Sequence, residues 1–228
     1  MNPDFETFKE FDFCFLRETD EIKLLDIELG FALTSDFQKT FPKLSEIVKK
    51  ARILNLEINN QSYKLFSWTN KAEYTLGWLN KIEKNIKPEI ELILEHKLLL
   101  NEIGGIQESF NGPPKSNLWN NQRFMFIETE CRKYIGGWEE YYRIVCEDNN
   151  KTPIDFKKFI CFVQEANGSV TLYDKNSKEV MLFAADHNFY DVKFLENQPK
   201  YTFHKINGIT TFVDYVERLA TEWSNEIL

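Results

Sequence analysis

Cysteine is scarce in this chain of 228 residues, and its spacing excludes two common uses of the residue. The four cysteines, Cys14, Cys131, Cys146 and Cys161, contain no C-x-x-C pair and no short framework spacing. Cys161 lies in the apolar run 159–162, and this setting is typical of buried free thiols in a reducing compartment. Zinc motifs need paired cysteines or H-E-x-x-H, and neither occurs. We therefore expect no bound metal and no cofactor.

Targeting and membrane segments are missing as well. The opening Met-Asn-Pro-Asp-Phe-Glu has neither the basic start nor the apolar core of a signal peptide. No stretch approaches the apolar length that a membrane span requires. These absences predict a cytoplasmic protein.

Recognisable catalytic motifs are also lacking. The sequence has no G-x-S-x-G elbow, no phosphate-binding loop and no dinucleotide fingerprint. Gly104-Gly105 follows an amphipathic helix, so it predicts a helix C-cap and tight turn; a phosphate cradle would precede a helix instead. The interpretation is a protein that binds rather than catalyses.

Aromatic residues and acidic charge are plentiful. Aromatics make up 15% of the residues, with 20 phenylalanines, and such rings supply the buried area of a real core. Lysine and arginine number 28 against 36 aspartate and glutamate, a net charge of −8. This balance argues against nonspecific nucleic-acid binding and is compatible with a basic protein partner, although solubility alone also explains it.

Hydrophobic periodicity predicts an α+β fold with a mixed, largely antiparallel β-sheet flanked by α-helices. The predicted helices are Glu21–Phe31, Pro42–Ala51, Thr69–Asn85, Pro88–Ile103, Trp138–Cys146 and a closing helix after Thr210-Thr211. The predicted strands are Ile53–Ile58, Tyr63–Trp68, Lys158–Gln164, Ser169–Tyr173, Glu179–Ala184 and Tyr201–Lys205. The first two strands form a hairpin around Asn59-Asn60, and Arg123–Thr129 fits either a strand or a short helix.

Polar residues at the predicted strand ends are the candidate functional residues. His187 follows Asp186 after one strand, and Glu165, Asn167 and Asp174 lie at the ends of neighbouring strands. Such a set could supply an acid, a base or ligands, but turn and capping roles explain these residue types equally well. We predict no catalytic site here and take the five as candidate partner-binding residues.

The other two histidines have apolar neighbours. His96 lies near the apolar face of the predicted helix before Gly104, and His204 lies in a predicted strand. Histidines in such places are typically hydrogen-bonded structural residues. We predict that neither binds a ligand.

From the Pro88 helix onward, the order of features resembles the SUKH superfamily. The helix that ends in 98–100 and the Gly104-Gly105 turn look like the opening signature of that family. The stretch 159–174, with its single turn glycine Gly168, resembles the central hairpin of the family, and 179–183 resembles the strand that follows. Thr211–Val216 is similar to the start of its final helix.

The resemblance implies a SUKH-like α+β domain over 88–228, with 1–87 as an N-terminal helical and hairpin extension packed on it. It implies an immunity protein that neutralises a cognate polymorphic toxin, a nuclease or deaminase, by stoichiometric binding. One alternative is a small hydrolase or ligand-binding enzyme that uses Asp186, His187 and Glu165. Another is a phage or mobile-element regulatory or scaffold protein.

Overall fold

The computed structural model describes residues 2–12, 14–83, 90–114, 118, 122–165, 167–185 and 191–228. The helices in these residues are α1 (Pro3–Lys9), α2 (Ser35–Thr40), α3 (Pro42–Val48), α4 (Leu94–Ile103), α5 (Glu139–Asp148) and α6 (Phe212–Ser224). The strands are β1 (Ile22–Glu28), β2 (Arg52–Ile58), β3 (Gln61–Thr69), β4 (Thr75–Lys81), β5 (Gly105–Phe110), β6 (Gln122–Met125), β7 (Arg132–Lys133), β8 (Phe159–Glu165), β9 (Val170–Asp174), β10 (Val180–Phe183), β11 (Val192–Phe194) and β12 (Phe203–Ile206). The predicted α+β class is confirmed.

The strands follow one another across the sheet in the order β1-β2-β3-β4-β5-β6-β8-β9-β10-β12-β11, and β7 pairs with β8 at the side. All of these pairs are antiparallel. We call β1 to β5 the N-terminal half and β6 to β12 the C-terminal half. The halves meet at a single register pair, Ile106 with Met125.

The β2–β3 hairpin shows how local sequence positions the first strands. Asn59 and Asn60 both have positive φ, 52° and 64°. Two consecutive residues of this kind form the tight turn whose twist matches that of antiparallel strands, and asparagine tolerates the conformation better than most residues. The hairpin predicted around Asn59-Asn60 is confirmed.

The largest apolar cluster lies between one face of the sheet and the helices α2, α3, α4 and α6. Trp68 of β3, Trp78 of β4 and Trp223 of α6 are its largest members, with Trp78 and Trp223 ring centroids 4.9 Å apart. A capping box, in which Thr211 and Asp214 bond to each other's backbone N–H groups, starts α6. Through Trp223, α6 therefore packs against β3 and β4.

Two smaller clusters cover the opposite face of the sheet. Phe5 and Phe8 of α1 pack on the N-terminal half, and Tyr142 and Cys146 of α5 pack on the C-terminal half. Helices therefore lie on both faces, so strands such as β4 are buried throughout.

Two predicted helices are wrong. The range Glu21–Phe31 contains the strand β1. A bulge between Leu24 and Ile27 interrupts the alternation of this strand and leaves Ile22, Leu25 and Leu29 at helix-like spacing, which is why the sequence pattern resembled a helix. Thr69–Asn85 contains β4, whose residues from Leu76 to Asn80 are buried on both faces and so show no alternation.

The later helix predictions agree more closely with the structure. The helix predicted from Pro88 begins at Leu94 and ends at Ile103, while Pro88 itself lies outside the described residues. Arg123–Thr129 contains the end of β6 and a 3₁₀ turn from Glu128 to Glu130.

The boundary predicted between residues 87 and 88 divides elements that pack together. The strand β5, which follows this boundary, pairs with β4, which precedes it. The core cluster around α6 likewise contains residues from both sides. In the described part of the chain, no helix is both long and apolar enough to cross a membrane.

Candidate protein-binding surface

Three of the predicted site residues belong to the hairpin of β8 and β9. Glu165 ends β8, and Asn167 lies in the turn, where its Oδ1 accepts a hydrogen bond of 3.0 Å from the Ser169 N–H. Asp174 ends β9 and lies opposite Phe159, at the start of β8. In an antiparallel pair the ends of successive strands point in opposite directions. Glu165 and Asp174 are therefore separated by the length of the hairpin, about 20 Å.

Asp174 serves its own turn. Its carboxylate lies 2.7 Å from the Lys158 ammonium and accepts hydrogen bonds from the N–H groups of Asn176 and Ser177. Burial raises the pKa of Asp174, but these hydrogen bonds outweigh it and hold the pKa below its usual value. These contacts account for the carboxylate without a partner protein.

Asp186 and His187 lie outside the described residues. The structure does not bring Glu165, Asn167 and Asp174 together, because Asp174 occupies the other end of the hairpin. The hydrolase alternative, which needs Glu165 beside Asp186 and His187, stays a hypothesis. Among the described residues, no group of three or more His, Cys, Asp or Glu side chains could hold a metal ion.

The singled-out glycines occupy tight positions. Gly104 caps α4 with φ +76°, and a Cβ there would lie 2.4 Å from the Lys81 carbonyl oxygen. A Cβ on Gly105 would lie 2.7 Å from Ile127. Gly168 has φ +90°, and its carbonyl accepts a 2.8 Å hydrogen bond from the Trp138 indole. Close backbone approach explains Gly104 and Gly105, and positive φ explains Gly168.

His96 lies fully buried where the two halves of the sheet meet. Its Nε2 lies 2.6 Å from the Phe126 carbonyl oxygen, its Nδ1 lies 3.3 Å from the Tyr173 hydroxyl, and its ring stacks on Phe212. Burial lowers the pKa of His96 to about 4, so the ring is neutral at pH 7. His204 is also buried, beside the Phe194 ring, and burial lowers its pKa too.

The outer strand β1 exposes apolar side chains instead of burying them. The exposed fractions are 37% for Leu24, 54% for Leu25, 59% for Ile27 and 89% for Leu29. We call these four residues the β1 edge. Natural proteins usually blunt such an edge with charge, proline or a short strand, because an open apolar edge recruits other strands. Several exposed apolar side chains along one strand favour an interaction surface.

A cavity of about 530 Å³ adjoins the β1 edge. We call it the acidic groove. The sheet lines it with Leu25, Asp26, Glu28, Asn55, Leu56, Ser62, Tyr63, Lys64 and Ile82, and α4 lines it with Leu100, Asn101 and Glu102. Apolar and acidic side chains therefore meet in one concave surface.

Carboxylates dominate the electrostatics of this region. Residues 20–29 contain one lysine, Lys23, and four carboxylates, Asp20, Glu21, Asp26 and Glu28. Inside the acidic groove, the ammonium of Lys64 pairs with Glu28 and lies 4.9 Å from the centre of the Phe31 ring. Lys64 therefore already has an ion pair with Glu28 and a cation–π contact with Phe31.

Two carboxylates of the acidic groove have no cation beside them among the described residues. Asp26 accepts a 3.2 Å hydrogen bond from the Asn55 amide, and Glu102 accepts one of 2.5 Å from the Thr34 hydroxyl. Glu102 lies in the last turn of α4, where the helix dipole is negative and adds to the charge. The acidic groove is therefore suited to a cationic group.

Sequence reasoning missed this surface because it assigned 21–31 to a helix. The signal was nonetheless present: apolar Leu24, Leu25, Ile27 and Leu29 are interleaved with Asp26 and Glu28. Such a run at a sheet edge leaves apolar groups in solvent whichever face is buried.

No family model matches this chain, and no curated protein or solved structure matches it significantly. The resemblance to the SUKH superfamily therefore stays a prediction.

Proposed function

We propose that this protein is a non-catalytic binding module that holds a basic protein domain in a stoichiometric complex. In this proposal it acts in the cytoplasm as an immunity-type protein, and its partner is a toxin domain such as a nuclease or deaminase. The observation that carries the proposal is the β1 edge beside the acidic groove.

Two further features support the proposal. The net charge of −8 favours encounter with a basic partner, since complementary potentials speed association and exclude wrong partners. The resemblance of the later part of the chain to the SUKH superfamily implies toxin neutralisation. The β1 edge itself lies in 1–87, outside that resemblance, so the proposal rests on two independent parts of the sequence.

The first test recovers the partner. A tagged chain is used as bait in its native host, the bound proteins are identified, and the main one is purified and mixed with the chain. We expect a basic domain that binds at equal stoichiometry and loses its toxic activity in the complex. Recovery of no such domain, or a complex in which the toxic activity persists, would contradict the proposed function.

The second test locates the binding surface with a matched pair of double variants. Leu25→Lys with Ile27→Lys alters the β1 edge, and Leu94→Lys with Ile144→Lys alters two apolar residues that are 75% and 51% exposed elsewhere. Both pairs change the net charge equally. We expect the edge variant alone to lose affinity by about tenfold or more, as for loss of a buried apolar anchor. Equal losses in both variants would assign binding to overall charge instead.

A further inference from the structure

The inference concerns how the partner is held, and it rests on the proposed function. β1 is the terminal strand of the sheet and pairs with β2 on one side. Within the described part of the chain, no strand pairs with its other side. The backbone N–H and C=O groups on that side are therefore available to a strand from another chain.

The register separates the two faces of β1. In β2, the apolar cluster under α1 includes Leu54, Leu56 and Ile58. Their partners in β1 are Ile27, Leu24 and Ile22, respectively. Residues directly opposite each other point to the same face. One face of β1 is therefore apolar.

The other face of β1 carries the carboxylates of Asp26 and Glu28, together with Lys23, which pairs with Glu57 of β2. Glu28 lies opposite Ile53, which belongs to the cluster on the α4 side of the sheet. Asp26 bonds to Asn55, two residues from Ile53 and hence on the same face. An added strand would therefore meet apolar groups on one face and carboxylates on the other.

Charge argues against a second copy of this chain as the occupant. Pairing two copies of β1 would bring together two sets of Asp20, Glu21, Asp26 and Glu28 with only Lys23 from each chain to offset them. Like charges across a strand pair are destabilising. An acidic surface likewise repels nucleic-acid phosphates and anionic lipid surfaces.

We infer that β1 accepts an added β-strand of the partner whose side chains alternate between apolar residues and lysine or arginine. The apolar side chains lie beside Leu24 and Ile27. The cationic side chains reach Asp26 and Glu102 in the acidic groove, where those carboxylates have no cation among the described residues. Backbone hydrogen bonds supply affinity, and the alternation supplies specificity.

A synthetic peptide of alternating lysine and valine is the probe, and calorimetry measures its affinity for the whole chain. Glutamate in place of the lysines should abolish binding. The double variant Asp26→Asn with Glu102→Gln keeps the acceptor oxygens that bond to Asn55 and Thr34, and we expect it to weaken binding by about tenfold. Glu147→Gln with Asp148→Asn, both exposed at the end of α5, makes the same change in charge and should bind as the unaltered chain does.

Two N-methylated peptides test the backbone pairing. One carries methyl groups on the odd-numbered amides and the other on the even-numbered amides, so only one of them blocks the N–H groups that face β1. We expect one peptide to lose binding and the other to keep it. Equal binding of both, or no binding of the unmethylated peptide, would overturn strand addition.

The experiments distinguish a failure of strand addition from a failure of the proposed immunity function. A partner that is neutralised, and whose affinity depends on Leu25 and Ile27, while the peptides fail, would leave the proposed function standing and refute strand addition. Peptide binding without any basic partner from the native host would refute the immunity proposal and leave the strand-accepting edge in place.

Discussion

The two outer edges of the sheet differ in length, charge and apolar exposure. The edge of the C-terminal half, β11, is three residues long and has Lys193 at its centre. The edge of the N-terminal half, β1, is seven residues long and is followed by Leu29, whose side chain is 89% exposed. Short length and a lysine are two devices that discourage pairing with other chains. The β11 edge has both, whereas β1 has charged residues and a bulge but is longer and exposes more apolar side chains.

The open edge belongs to a half that is firmly tied to the rest of the molecule. Trp68 and Trp78 of the N-terminal half pack against Trp223 of α6, and His96 of α4 packs among Phe126, Tyr173 and Phe212. The strands next to β1 are therefore packed into the core of the molecule. Substitutions can test this contrast between a packed interior and an exposed edge.

The largest effect is expected for Trp223→Ala. Trp223 is fully buried between Trp68 and Trp78, so the substitution removes a large ring and should lower the free energy of unfolding by about 3–5 kcal/mol. Urea unfolding followed by hydrogen exchange should show β2 to β4 and β8 to β10 losing protection together. Thr221→Ala, on the exposed side of the same helix, is the control. Loss of protection in one half only would mean that the halves unfold separately.

An effect of intermediate size is expected from the protonation of His96. The pKa of His96 in the folded chain is about 4, below the ordinary value of 6.5. Between pH 6.5 and 4, His96 is therefore protonated in the unfolded chain but mostly neutral in the folded chain. The contribution of His96 to stability should therefore be complete above pH 6.5 and be lost as the pH drops towards 4, by on the order of 3 kcal/mol.

The measurement is the free energy of unfolding against pH for the unaltered chain and for His96→Gln, which can still donate a hydrogen bond to the Phe126 carbonyl. The variant should have a shallower slope between pH 6.5 and 4. Other groups also contribute to the slope of both curves: burial lowers the pKa of His204, and burial raises the pKa of Glu108 to about 7, which acts with the opposite sign. Parallel curves would show that His96 does not titrate differently on folding.

The smallest effect on stability is expected at the edges themselves. Leu25→Lys with Ile27→Lys should change the free energy of unfolding by less than about 0.5 kcal/mol, since both side chains are largely exposed. It should nevertheless suppress aggregation on mild heating, which an open apolar edge promotes. Phe194→Lys, at the β11 edge and 41% exposed, should not. Equal protection by both variants would erase the contrast between the edges.

The sequence predicted the elements in which one signal dominates. Asn59-Asn60 marked the β2–β3 turn, and Thr210-Thr211 marked the start of the closing helix, which begins at Phe212. The α+β class followed from these and from the strand-rich stretch after Lys158. Each of these features depends on residues close together in the chain, so the sequence reveals them directly.

The rest depended on contacts that a single sequence does not reveal. The burial of β4 on both faces comes from helices far away in the chain, and Gly77 fits there because a Cβ would lie 2.3 Å from the Phe66 carbonyl oxygen. Polar residues at strand ends were recognised in the sequence, but pairing direction, which decides which ends lie together, is not visible there. Glu102 and Asp26, 76 positions apart, come together only through the sheet.

The bulge in β1 also bears on how such a surface changes during evolution. Leu25 and Asp26 lie within the irregular step between Leu24 and Ile27, so the strand holds one residue more than regular alternation allows. Deleting a single residue there would restore regular alternation, and Ile27 and Glu28 would keep Leu54 and Ile53 as their partners. The composition of the edge could thus change by one residue while the buried strands β2 to β5 kept their register.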